Sequence, residues 1–247
     1  MTNSDQTSVL ITGGNKGLGL ESARRLGEQG WTVFLGSRDE GRGRAAVEQL
    51  AEHGVRAVLI TLDVTSDASV AAAVDTVRQH TDRLDVLINN AGAPGQVLAP
   101  AVATAAELQA VYDTNVYGPV RVTQAFLPLL RAADHPRVVM VSSGGGSFSV
   151  VTDPEQAVSK LHELAYSSSK AALNMITVRY AQALPEIKFN AITPGEVANH
   201  KYTATDMNHH TGQLTVTEGS DVIIRLATIA PDGPTGTFSD RLGPVPW

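Results

Sequence analysis

The chain has 247 residues, is 43% hydrophobic and carries a net charge of -6 spread over dispersed acids, which suits one large α/β domain or two small ones. With no Lys/Arg block it lacks the footprint of a nucleic-acid binder, and with no cysteine it lacks disulfides, thiolate chemistry and Cys-based zinc sites. MTNSDQTSVL has no basic region followed by an apolar core, and no apolar run reaches about eighteen residues, so a soluble cytoplasmic protein without nucleic-acid or membrane partners is expected.

The first strand-like run, SVLIT (8–12), leads directly into TGGNKGLG (12–19) and then into the helical pattern GLGLESARRLGEQG. Gly13, Gly17 and Gly19 let the backbone turn tightly, approach a pyrophosphate and present helix N-terminal amides to its charge. Standing alone, such a turn reads equally well as a plain strand-to-helix connection.

The second run, WTVFLG (31–36), is followed by Ser37, Arg38 and Asp39. An acid at about this distance from the glycines would bind the ribose 2′-hydroxyl of NAD, whereas a base accommodates the 2′-phosphate of NADP. Asp39 is the competing acid, but it also fits the N-cap of the next helix, EGRGRAAVEQLAEHG. Arg38, Lys16 and Arg42 together could surround a phosphate, and guanidinium groups suit that dianion, so NADP(H) is favoured over NAD(H).

Strand-like VRAVLIT (55–61), LDVLIN (84–89), RVVMVS (137–142) and IKFNAI (187–192) follow, separated by helical DASVAAAVDTVRQH and AELQAVYDTNVYGPVRVTQAFLPLL. Repeated strand, helix, strand implies a single-domain Rossmann-type α/β fold over 1–247, a doubly wound parallel sheet with helices on both faces. The polar stretch 195–219 is expected to be a substrate lid. Thr215 and Glu218 have the spacing of a capping box before the final helical run, SDVIIRLATIA.

In LAYSSSKAAL (164–173), Tyr166 and Lys170 stand one helical turn apart and share a face. A fixed ammonium beside a phenol favours phenolate, and a lowering of about two or three pH units would make Tyr166 a proton donor and acceptor near neutrality. Such a group serves as general acid when hydride adds to a carbonyl and charge builds on its oxygen.

With these residues in view, the chain resembles the short-chain dehydrogenase/reductase family over nearly its whole length. TGGNKGLG resembles the family's glycine turn, LDV (62–64) its adenine-contacting Asp, and NNAG (89–92) its fourth-strand signature. NVYG (115–118), VSS (141–143), YSSSK (166–170) and PG (194–195) complete the series in order, and SRDEGRG (37–43) is most similar to NADPH-using carbonyl reductases. The resemblance implies cofactor contacts from Gly13, Asn15, Lys16, Gly17, Leu18 and Gly19, then from Arg38, Arg42, Asp63 and Val64. Asn90, Ala91 and Gly92, Tyr166 and Lys170, and Pro194 and Gly195 complete the implied set. It implies that Ser143 donates to the substrate carbonyl, Tyr166 transfers the proton, Lys170 binds the nicotinamide ribose and lowers the tyrosine pKa, and Asn115 holds a water joining Lys170 to solvent. Without the family, Ser142 is as well placed as Ser143, Asn115 reads as a helix irregularity and Asp63 as an N-cap.

Two stretches depart from the family pattern. GGGSFSVVTDPEQAVSKLHEL separates Ser143 from Tyr166 by more residues than compact members carry, and EVANHK intervenes between Pro194-Gly195 and YTATDMN. The first would lie over the substrate cleft or against the helix that members commonly use to dimerise, which leaves homo-oligomerisation open. The second leaves Asn199, Thr203 and Thr205 as candidates for the carboxamide contact and brings Glu196 near the nicotinamide pocket. His200, His209 and His210 are read as solvated loop residues rather than metal ligands, and Trp247 as a packed anchor. The expected reaction is NADPH-dependent reduction of a small ketone or aldehyde; an NAD-linked alcohol dehydrogenase and a non-catalytic NADP-sensing regulator are the alternatives.

Overall fold

The computed structural model describes residues 6–161 and 163–247; the first five residues, which belong to the leader reading, and His162, in the inserted stretch, lie outside them. The strands are β1 Ser8–Ile11, β2 Thr32–Ser37, β3 Ala57–Thr61, β4 Val86–Asn89, β5 Arg137–Val141, β6 Lys188–Ile192, β7 Phe238–Asp240 and β8 Gly243–Pro244. They form one sheet in the order β3-β2-β1-β4-β5-β6-β7-β8, in which only the β7–β8 pairing is antiparallel. All six expected strands are present, within a residue or two at their ends. β7 and β8 extend the sheet beyond them.

Alternation along each strand divides the core in two. Leu10, Phe34, Leu87, Met140 and Phe189 face one side and pack on helices α3 (Asp67–Arg78), α5 (Gly118–Arg131) and α7 (Leu164–Ala183). Val9, Ile11, Val33, Ile88 and Val139 face the other, under α1 (Gly17–Glu28), α2 (Glu40–Glu52) and α8 (Val216–Ala227). Both faces are covered, which is why the strands read as continuous apolar runs. Gly30 and Gly54, at φ 83° and 73°, end α1 and α2 in the left-handed turn that glycine tolerates.

The long helical pattern at 106–130 is interrupted. α4 (Ala105–Tyr112) passes through one π turn, Asp113–Tyr117, before α5 begins. In that turn the Gly118 amide donates to the Asp113 carbonyl, five residues back. The inserted stretch forms short turns and α6 (Phe148–Val151), and the Thr215/Glu218 capping box is present at α8.

Strand order reverses between β1 and β4, whose partners run outward to opposite edges. The crevice beyond the carboxyl ends of these strands is where open α/β sheets bind their ligands. Each sequence motif follows a strand: Gly13 after β1, Arg38 after β2, Asp63 after β3, Asn90 after β4, Ser143 after β5 and Pro194 after β6.

Candidate active site

The glycine turn is built as a cradle. Gly13 and Gly17 have φ of 62° and 53°; a Cβ on Gly13 would stand 3.0 Å from Ala91, whereas nothing lies within 4 Å of one on Gly17. Asn90 ties the turn from across the crevice, donating to the carbonyls of Thr12 (2.9 Å) and Gly13 (3.0 Å). The Thr12 hydroxyl accepts from the amides of Asn90 and Ala91 in return. Asn90 and Ala91 therefore brace the turn, Asn90 through its side chain. Leu18 packs partly buried against the core, with Asn15 half-buried on the rim. At α1 no side chain caps the helix and its first turn holds no acid, whereas α2, α3 and α8 are each capped by a side-chain oxygen. The amides of α1 are thus left to an external anion, which fits a dinucleotide pyrophosphate.

At the second position the Asp39 carboxylate accepts from the Arg42 amide at 2.8 Å and caps α2. That engagement gives Asp39 a structural role as the helix cap and occupies one of its two oxygens. Burial raises the Asp63 carboxyl, but hydrogen bonds from the Thr65 amide and hydroxyl, helped by the charges of exposed Arg38 and of Arg121, hold it below the ordinary range. Asp63 is not the N-cap of α3; Ser66 is. Val64 packs on Gly118, where an added Cβ would come within 2.9 Å of it. Of the three bases, Arg42 lies 3.9 Å from Asp39 and Lys16 is already engaged, 2.6 Å from Asp206.

Ser143, Tyr166 and Lys170 converge. Ser142 and Ser143 are separated by burial: Ser142 is sealed in, donating to Asn174 at 2.6 Å, while Ser143 keeps exposed surface and stands beside the Tyr166 hydroxyl. Lys170 is buried, donates from Nζ to the Val141 carbonyl at 2.8 Å, and stands 5.6 Å from the centre of the Tyr166 ring. Its approach is closed from behind by Gly146, where a Cβ would lie 2.6 Å from the Lys170 backbone.

The electrostatics correct one expectation. Tyr166 is not shifted toward phenolate; burial pushes it up to about 12, against the opposing pull of the Ser143 hydroxyl, and the charge of half-buried Glu163 adds to the rise. The phenol keeps some exposed surface, yet it sits among dense protein atoms, and desolvation outweighs any help from Lys170. Lys170 is itself pushed down to about 8 by burial.

Asn115 lies fully buried in the π turn, so the irregularity and the functional position coincide. Its side chain exchanges hydrogen bonds with the Ala93 backbone at 2.8 and 2.9 Å and donates to Ser169 at 3.0 Å. Both amide hydrogens are thereby used. The side chain fastens the end of the NNAG loop to α7 with both amide hydrogens, which leaves acceptors alone, the second Oδ1 lone pair or the backbone carbonyl of the π turn, to hold a water.

After β6 the Thr203 hydroxyl donates to the Pro194 carbonyl, while Asn199 turns away to Glu196 and Thr205 caps a short turn with Asn208. Thr203 is thus the candidate that reaches the Pro194-Gly195 turn. A Cβ on Gly195 would lie 2.6 Å from the Lys201 carbonyl oxygen, so the EVANHK loop folds tightly back on that turn. Glu196 is buried but occupied, at 2.5 Å from Arg241 and 3.5 Å from Lys201, and hydrogen bonds from Asn199 and Arg241 hold it below the ordinary carboxylate range. Trp247 stacks on Phe238 with ring centres 5.4 Å apart, as an anchor does. No group of three or more His, Asp or Glu side chains able to hold a metal occurs among the described residues, and no helix among them is long and apolar enough to cross a membrane.

Comparison with known proteins agrees with this architecture. The short chain dehydrogenase family model matches residues 7–213. Short-chain dehydrogenase/reductase 1 of Saponaria officinalis is 33% identical over 97% of this chain and 95% of its own length. The (+)-neomenthol dehydrogenase of Arabidopsis thaliana is 33% identical over 94% and 95%. The crystal structure of NADPH-bound carbonyl reductase from chicken fatty liver superposes with a TM-score of 0.84 at 28% identity, covering 98% of this chain and 99% of that one. The chain belongs to the short-chain dehydrogenase family, a family of oxidoreductases.

Proposed function

We propose that the protein reduces a ketone or aldehyde to an alcohol with NADPH, using Tyr166 as the general acid. The observation that carries the reading is the meeting of Ser143, Tyr166 and Lys170 at the carboxyl end of β5, beside an uncapped helix start on the glycine turn. Gly13, Asn15, Gly17, Leu18 and Gly19 would hold the pyrophosphate, Arg38 with Lys16 and Arg42 the 2′-phosphate, and Asp63 and Val64 the adenine side. Ala91, Gly92, Pro194 and Gly195 would border the nicotinamide, which supplies hydride when the cofactor is bound.

The remaining work falls to side chains of this chain. Ser143 donates to the carbonyl oxygen and polarises it. Tyr166, kept protonated by its high pKa, gives its proton to that oxygen as charge develops there; a growing alkoxide is far more basic than a phenolate, so the transfer runs forward. Lys170 holds the ribose and offers positive charge to the phenolate left behind. Asn115 keeps Ala93 and α7 in register.

The resemblance to an NADPH-bound carbonyl reductase supports NADP(H), as does the employment of Asp39 in capping, which disfavours the NAD-linked alternative. NADPH consumption over aliphatic ketones, aryl ketones and quinones tests the reading. Turnover of at least one class that vanishes in Tyr166→Phe, with NADPH binding retained, is the expected result. Unchanged turnover in that variant overturns it.

A further inference from the structure

One ion pair joins the glycine turn to the segment that follows β6. Lys16 Nζ lies 2.6 Å from Asp206 Oδ2, across 190 positions of sequence. Asp206 opens the short turn Asp206–Asn208, which Thr205 and Asn208 cap reciprocally. Its other oxygen lies 2.8 Å from His210 Nε2. The next residue, Met207, brings its terminal methyl to within 3.7 Å of where a Cβ of Gly92 would be. The turn therefore bridges the mouth of the crevice between the ends of β1 and β4.

Two partners then compete for one ammonium. In the reading above Lys16 is one of three bases around the 2′-phosphate, and here it already faces a carboxylate. We propose that Asp206 is a cofactor-selecting residue, which competes with the ribose 2′-phosphate for Lys16 and so sets how tightly NADP(H), but not NAD(H), is held. The inference rests on that assignment of Lys16. Both side chains of the pair are more than half exposed, 59% and 54%, so water screens the contact and leaves it exchangeable. A phosphate dianion is a stronger partner than a carboxylate for the same cation. NADP(H) displaces Asp206 and loses part of its gain in doing so. NAD(H) shares the pyrophosphate but brings no 2′-phosphate to Lys16, so it has nothing with which to displace Asp206.

Dissociation constants for NADPH and NADH, measured by calorimetry on the unsubstituted protein, Asp206→Asn, Lys16→Ala and the double variant, decide the matter. Asp206→Asn is expected to tighten NADPH by about two- to fivefold, the size of an exposed ion pair, to leave NADH unchanged, and to have no effect once Lys16 is alanine. Weaker or unchanged NADPH binding in Asp206→Asn overturns the inference, as does equal tightening of NADH or an effect that survives Lys16→Ala. If the unsubstituted protein binds neither dinucleotide, the functional reading falls and this inference with it. If it binds NADPH and Asp206→Asn does not change that affinity, only the inference falls.

Discussion

The Lys170 ammonium stands 5.6 Å from the centre of the Tyr166 ring, one turn along α7, yet its Nζ hydrogen bond goes to the Val141 carbonyl at the end of β5. Lys170 thus bolts helix to sheet while carrying its charge beside the phenol. Burial acts on the two groups in opposite directions, up to about 12 for Tyr166 and down to about 8 for Lys170.

Without cofactor, Tyr166 is expected to stay protonated throughout the range in which an ordinary tyrosine ionises. Phenolate absorbance of the unsubstituted protein and of Tyr166→Phe should coincide until well above pH 10, and separate only near 12. The negative charge of Glu163 contributes to that rise, so Glu163→Gln should move the late step downward. A Tyr166-dependent step below pH 9 would contradict the burial argument.

Lys170 ties stability to pH. Its folded value of about 8 lies below the ordinary 10.5, so the unfolded chain binds the extra proton between those limits and stability rises with pH across that window. Below pH 8 the full cost of the buried ammonium is present, roughly 3 kcal/mol. Lys170→Met should therefore be more stable at pH 7 by about 1–3 kcal/mol after allowing for the lost hydrogen bond, and inactive. Urea midpoints at pH 7 and pH 10 check both the gain and its shrinkage.

Arg38→Ala should raise the NADPH KM by about ten- to hundredfold, the worth of a charge-assisted hydrogen bond to phosphate, and leave the NADH KM nearly unchanged. Equal effects on the two cofactors would remove Arg38 from the 2′-phosphate.

Gly146→Ala would place a methyl 2.6 to 2.8 Å from backbone and Cβ atoms of Lys170. The strain should cost about 1–3 kcal/mol and lower kcat, because the displaced group carries the ammonium. A variant with native kcat and native stability would show that the approach is slack.

Thr203→Val keeps the volume of a buried side chain but leaves the Pro194 carbonyl without its hydroxyl partner. A modest loss of about 0.5–1.5 kcal/mol in stability is expected, with a larger rise in the KM for cofactor, since the turn after β6 is loosened. Thermal unfolding and steady-state kinetics read the two separately.

The strands, their parallel sheet and the places of the motifs were legible because apolar runs covered on both faces stay apolar throughout, and because each motif sits where a strand ends. The choice of Ser143 over Ser142 came from the family resemblance, since local spacing treats the two alike; in the fold both follow β5, and packing against Asn174 buries Ser142. β7 and β8 escaped because three and two residues carry no period. The π turn around Asn115 continues a helical pattern of apolar residues, so its extra backbone residue leaves no mark on spacing. The Tyr166 shift was misjudged because residue spacing reports the nearby cation, whereas desolvation is summed over segments far apart in the chain. The Lys16–Asp206 pair was invisible for the same reason of distance.

The two stretches that depart from the family pattern also meet: Tyr202, in the segment after Pro194-Gly195, brings its phenol beside the Val158 backbone in the insertion before Tyr166. On the proposed reading, selectivity among substrates is then a property of a matched set. A chimera that imports one stretch from a relative would inherit a mispaired roof, and directed evolution of this enzyme should diversify both together.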